Sequence, residues 1–142
     1  MRKQTGTSLI EVLVTILIVS FGLLGVAGVV GMGLKDNHSS YGRTQASLLA
    51  ADIVDRMRAN RLAAQAGGKP YDLDLADTPS GSTIPDLDLI AWRAALAAAL
   101  PSGTGSVSMD AATLNVTVVV QWDESRVSGG SSTQNFALET RL

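Results

Sequence analysis

The sequence predicts an α+β protein: one long amino-terminal helix, membrane-spanning in its first half, packed on a small three-stranded antiparallel sheet, with a second short helix. Three observations lead there. Residues Val12 to Leu34 form a run of 23 positions without a charge. No proline precedes Pro70, so nothing breaks the helical pattern that continues past that run. The carboxy-terminal third alternates apolar and polar residues in strand-length segments.

The uncharged run comes first. Thr15 and Ser20 are its clearly polar members. About 20 apolar residues span a bilayer as a helix, so the segment predicts a membrane span. A cleaved secretory signal fits poorly, because the run exceeds a usual h-region and no small-x-small site closes it. Arg2 and Lys3 precede the run and place that end in the cytoplasm, with the carboxy-terminal bulk on the far side. Glu11 sits at the cytoplasmic edge. A carboxylate at the bilayer centre costs roughly 2.5–3.5 kcal/mol, and less near the interface. Two readings are open: an acid favoured by the helix dipole, or a carboxylate awaiting a cation from another chain. Gly22, Gly25, Gly28, Gly31 and Gly33 stud the second half of the span. They serve close helix packing, or they weaken the helix at about 0.8–1.0 kcal/mol each relative to Ala; both readings stand.

Beyond Leu34 the pattern turns amphipathic. Ala46, Ala50, Ile53 and Met57 recur at helical spacing. Asp52–Arg56 and Asp55–Arg58 are candidate ion pairs one turn apart. Arg56, Arg58 and Arg61 suit a helix end, and Gly67, Gly68 and Pro70 stop it. One helix from Ser8 to Ala66 would run roughly 90 Å. Residues 35–66 are thus an amphipathic periplasmic half, and 67–142 a small α+β head.

Lys69 to Pro85 reads as a loop. Its Asp72, Asp74 and Asp77 lack the glycine and terminal Glu of a calcium-binding loop and are read as solvated acids. Pro85 to Leu100 predicts the second helix, with Pro85 in its first turn and Trp92 as a packing anchor. Ser106–Met109, Thr113–Trp122 and Gln134–Leu142 predict three strands. Leu114, Val116, Val118, Val120 and Trp122 share one face, as do Phe136, Leu138, Thr140 and Leu142. Three strands cannot bury such a face alone, so the amphipathic helix half must cover it.

The composition narrows function. The net charge is −2 and the arginines are scattered or at a helix end, so no nucleic-acid surface is expected. There are no cysteines, which removes disulfides and thiolate metal sites. His38 is the sole histidine and reads as an interfacial side chain. No nucleophile–base pair, phosphate loop or metal spacing is visible. The reading is a non-enzyme without cofactor or metal.

The residues also carry a resemblance. Met1-Arg-Lys-Gln-Thr-Gly6 followed by Thr7-Ser-Leu-Ile-Glu11 resembles the class III leader and mature start of type IV pilins and pseudopilins. Residues 41–60, with Asp55-Arg-Met-Arg-Ala-Asn60, and the run Ala91 to Pro101 resemble the PilV-type minor pilins. That resemblance implies the type IV pilin fold. It implies residues 1–6 as a leader that a prepilin peptidase cuts between Gly6 and Thr7, N-methylation of Thr7, and Glu11 as the carboxylate that pairs with a neighbour's amino terminus. The family usually has Phe where this chain has Thr7. Residues 7–34 become the transmembrane and filament-core helix, with Gly22, Gly25, Gly28 and Gly31 in a stretch that loses helicity on assembly. The implied role is a minor pilin that helps initiate the type IV pilus, with major and minor pilins as partners, a PilY-type adhesin as a further one, and adhesion and twitching motility as outcomes. The implied location is the inner membrane, then the pilus. The alternative is a minor pseudopilin of type II secretion; a pilus-borne DNA-binding or ligand-binding protein is a third reading.

Overall fold

The computed structural model describes residues 8–126 and 130–142, and leaves the side chains of Lys35, Asp36 and His38 outside that description. In chain order the elements are α1 (Leu9–Ala59), α2 (Arg61–Ala64), α3 (Ile84–Ala99), β1 (Thr104–Asp110), β2 (Asn115–Trp122) and β3 (Gln134–Arg141). The chain divides into two units, Met1–Asn37 and His38–Leu142.

In the first unit every residue from Leu9 to Leu34 is exposed. The two hydroxyls of the uncharged run satisfy themselves: the Thr15 hydroxyl donates to the Glu11 carbonyl at 2.7 Å, and Ser20 to the Ile16 carbonyl at 2.7 Å. Such back-bonding lets a hydroxyl enter an apolar medium without an open donor. The helix is long and apolar enough to cross a membrane.

The second unit holds the core. Ala46, Ala50, Ile53 and Met57 are all fully buried, as the helical spacing predicts, and Val54 joins them. They meet Val116, Val118, Val120 and Trp122 on the inner face of β2, and Val107 and Met109 of β1. The sheet is antiparallel in the order β1-β2-β3, with Val107 opposite Val118 and Val118 opposite Leu138. A Thr83–Asp86 capping box with Pro85 in the first turn starts α3. Trp92 is fully buried, and its indole N–H donates to the Leu49 carbonyl of α1 at 2.8 Å. Gly105 makes room for it: a methyl there would lie 2.6 Å from the indole ring.

Several details differ from the expectation. The long helix ends at Ala59, because Asn60 leaves helical geometry (φ −109°, ψ 39°), and Arg61–Ala64 forms a separate turn. β2 starts at Asn115, because Leu114 takes a left-handed conformation (φ 59°) in the turn held by the Asp110 carboxylate. β1 is longer than four residues because it pairs with β2 along its whole length. The loop after Pro70 is not wholly irregular: Leu73 bridges to Val107 in both directions, at 2.8 and 2.9 Å. β3 alternates as expected, but Phe136, Leu138 and Thr140 are only half-buried.

Candidate assembly site

Glu11 lies in the first turn of α1, and its backbone N–H donates to the Ser8 carbonyl at 3.0 Å. The dipole of the helix favours a carboxylate at that end. The residue is exposed, and no cation pairs with it among the described residues. Gly6 and Thr7, the expected cleavage and methylation positions, lie outside the described residues.

Gly22, Gly25, Gly28 and Gly31 are helical, and a methyl added at any of them would meet nothing within 4 Å. At 3.6 residues per turn, each step of three lags by roughly 60°. The four glycines therefore wind around α1 and do not line one seam. Gly22 and Gly31 fall on opposite sides.

The Asp55-Arg-Met-Arg-Ala-Asn60 segment ties the head together. The Arg56 guanidinium donates to Asp52 at 2.9 Å and to Asp88 of α3 at 3.4 Å. The other Asp88 oxygen accepts the Tyr71 hydroxyl at 2.7 Å, and that hydroxyl accepts from the Asn60 amide at 3.2 Å. Met57 is core. Arg58 pairs with Asp55 at 3.0 Å and reaches the Thr140 hydroxyl of β3 at 3.2 Å. One six-residue stretch thus touches α3, the loop and β3. Burial, then the hydrogen bond to Asp88, pushes the Tyr71 hydroxyl up to about 12. The Asp52 hydrogen bond, ahead of the weaker Asp88 contact, raises Arg56 above its ordinary value.

Two of the loop acids, Asp72 and Asp77, are structural partners, while Asp74 is exposed and takes part through its backbone. Asp72 pairs with Lys69 at 2.9 Å and accepts the Met109 N–H of β1 at 3.0 Å, so it closes the edge that Leu73 bridges. The Asp77 carboxylate accepts the Asp74 N–H. Arg93 of α3 donates to the carbonyls of Asp74, Leu75 and Asp77 at 2.7, 3.2 and 3.0 Å, and burial lowers its pKa. Sequence reasoning missed Arg93 as the pin of this loop. It also missed Glu124, which is buried beside a cleft of about 230 Å³ lined by Tyr41, Gly42, Leu100 and Trp122. A glycine in mid-helix at Gly42 was the available signal: a methyl there would sit 3.4 Å from the Trp122 indole nitrogen. The side chain of His38 lies outside the described residues.

The family model for the prokaryotic N-terminal methylation motif matches residues 1–27. No curated protein and no solved structure matches the chain. The matched segment contains Gly6, Thr7 and Glu11 and the first half of the apolar run. The motif belongs to structural subunits and implies prepilin peptidase processing, membrane association and assembly with other pilins. Joined to a long amino-terminal helix and a three-stranded antiparallel head, the motif supports a type IV pilin-like protein.

Proposed function

We propose that this chain is a minor pilin of the PilV type, a subunit that helps initiate and assemble the type IV pilus near its tip. The observation that carries the reading is the amino-terminal methylation motif, with Glu11 in the first turn of a helix that runs on through the uncharged stretch Val12 to Leu34. In this account the peptidase cuts after Gly6 and the new amino group of Thr7 is methylated. The chain spans the inner membrane once, with its amino terminus cytoplasmic and its head periplasmic. A buried carboxylate and a buried ammonium are each costly alone and cheaper together. Glu11 therefore pairs with the amino terminus of a neighbouring subunit, and the pair sets the axial register. Cleavage creates the cation, so only processed subunits engage. The winding glycines let neighbouring helices approach α1 from several sides, and the same residues make it weak enough to unwind locally.

The partners are the major pilin, other minor pilins and a PilY-type adhesin, and the outcomes are attachment and twitching motility. Deleting the gene tests this. Loss of surface pili and twitching with normal protein secretion is expected. Loss of secretion with normal pili would instead make the chain a minor pseudopilin of type II secretion.

A further inference from the structure

The charges of α3 point the wrong way for a surface helix. Such a helix turns its apolar stripe inward and its charges to water. In α3 all three charged residues are half-buried and engaged within the head. Asp86 holds the capping box with Thr83, Asp88 binds Tyr71 and Arg56, and Arg93 grips the loop carbonyls. The outward residues are apolar instead. Ile84, Leu87, Ala91, Ala94 and Ala98 are exposed and recur at spacings of three, four, three and four, with Ile84 at 63% and Leu87 at 54% exposure. Single exposed apolar residues are ordinary, but a whole uncharged helix face marks an interaction surface.

The spacing says what fits. A three-four repeat is the seam of helices packed at a shallow crossing angle, knobs into holes. The alanines of the α3 seam are holes. The head portion of α1 carries a second seam of the same spacing, Tyr41, Thr44, Leu48 and Ala51, also exposed and uncharged. Tyr41 and Leu48, each 60% exposed, are its knobs. The two seams complement each other, and each is open in the single chain. A contact between two different faces is heterologous, and repeated contacts of that kind build open helical filaments.

Size indicates where the partner comes from. A free-standing interface buries about 800 Å² per partner, from roughly 20–30 residues a side. One helix face of five residues falls well short of that. It suffices where a membrane helix already holds the partner close, since tethering supplies a high effective concentration.

We infer that the α3 seam docks against the head-proximal part of the long helix of a neighbouring pilin-like subunit, which presents a seam like Tyr41–Ala51. The inference rests on the pilin reading and names which surface of the head meets the next subunit.

A photo-crosslinking residue at Ala94 in the full-length protein, in its own cells, tests it, with Asn135, exposed on β3, as the control position. The expected result is an adduct from Ala94 alone, mapping to the long helix of this or another pilin-like chain in sheared filaments. Ala94→Arg is expected to leave head melting unchanged and lower recovery in filaments roughly tenfold, since an unpaired charge resists burial in an apolar seam. Recovery in filaments with no Ala94 adduct, or with adducts only to lipid or a soluble protein, overturns the docking surface and leaves the pilin reading intact. Absence of the unmodified chain from filaments overturns the pilin reading, and the docking surface with it.

Discussion

The two units of this chain solve opposite problems. The head, from His38 onward, buries a core of large side chains and ties part of its charge to partners within it: Trp92 at 0% exposure, Met57 at 0%, Asp88 shared by Tyr71 and Arg56. The first unit buries none of its described apolar residues, and Glu11, in the first turn of its helix, has no cation among the described residues. Water cannot be the resting medium of such a surface. The head thus has a core of its own, whereas the amino-terminal helix is half of an interaction: its apolar surface suits a membrane, and in the proposed function it also meets neighbouring subunits. Changes in the core of the head should therefore alter stability, and changes in the amino-terminal helix should alter assembly.

The largest effect expected is on the head. Trp92→Ala removes the side chain that links α1, α3 and Gly105, and should cost ~3–5 kcal/mol. Denaturant unfolding of the detergent-solubilised protein reads it, while membrane insertion should be unchanged. A stable head without Trp92 would break the comparison from that side. The next test is on the helix. Glu11→Ala should leave insertion and head unfolding as they were, yet reduce recovery in sheared filaments at least about tenfold, because the partner's ammonium is left unpaired. A drop in head stability of comparable size would erase the division between the two units.

Smaller effects sharpen the picture of the head. Arg56→Met keeps much of the side chain's bulk but leaves Asp88 with the Tyr71 hydroxyl alone, at an expected cost of about 1–3 kcal/mol in the same unfolding measurement. The smallest is a pH effect. The folded-state pKa of Tyr71 lies at about 12, above the ordinary value of 10. Folding thus favours the protonated phenol. Its contribution is complete below pH 10 and fades as pH rises from 10 to 12. Head stability should fall across that window, and Tyr71→Phe, which has no proton to lose, should flatten the fall.

Much of this architecture was legible because period and residue type agree. The stripe Ala46, Ala50, Ile53, Met57 and the alternation from Val116 to Trp122 are geometric signals that packing simply fulfils. What sequence did not disclose depends on contacts far along the chain. Asn60 looks like any helix residue until Tyr71 is placed beside it. Leu73 reads as loop until Val107 offers an edge. The strand start moved because the Asp110 turn draws Leu114 into a left-handed conformation, which residue propensity alone does not select. For the assembly site, Glu11 and the glycines stood out because charge and helix-weakening residues are costly in a membrane. The outward apolar seam of α3 escaped notice, because a sequence shows that a helix is rich in alanine but not which way its charges face.

The measurement that tests the central claim most directly is intact-mass and amino-terminal analysis of the protein from cells with and without the prepilin peptidase. The account predicts a mature chain that begins at methylated Thr7 only where the peptidase is present. A chain that keeps Met1-Arg2-Lys3 in both strains would contradict it and leave a membrane-anchored domain that joins no filament.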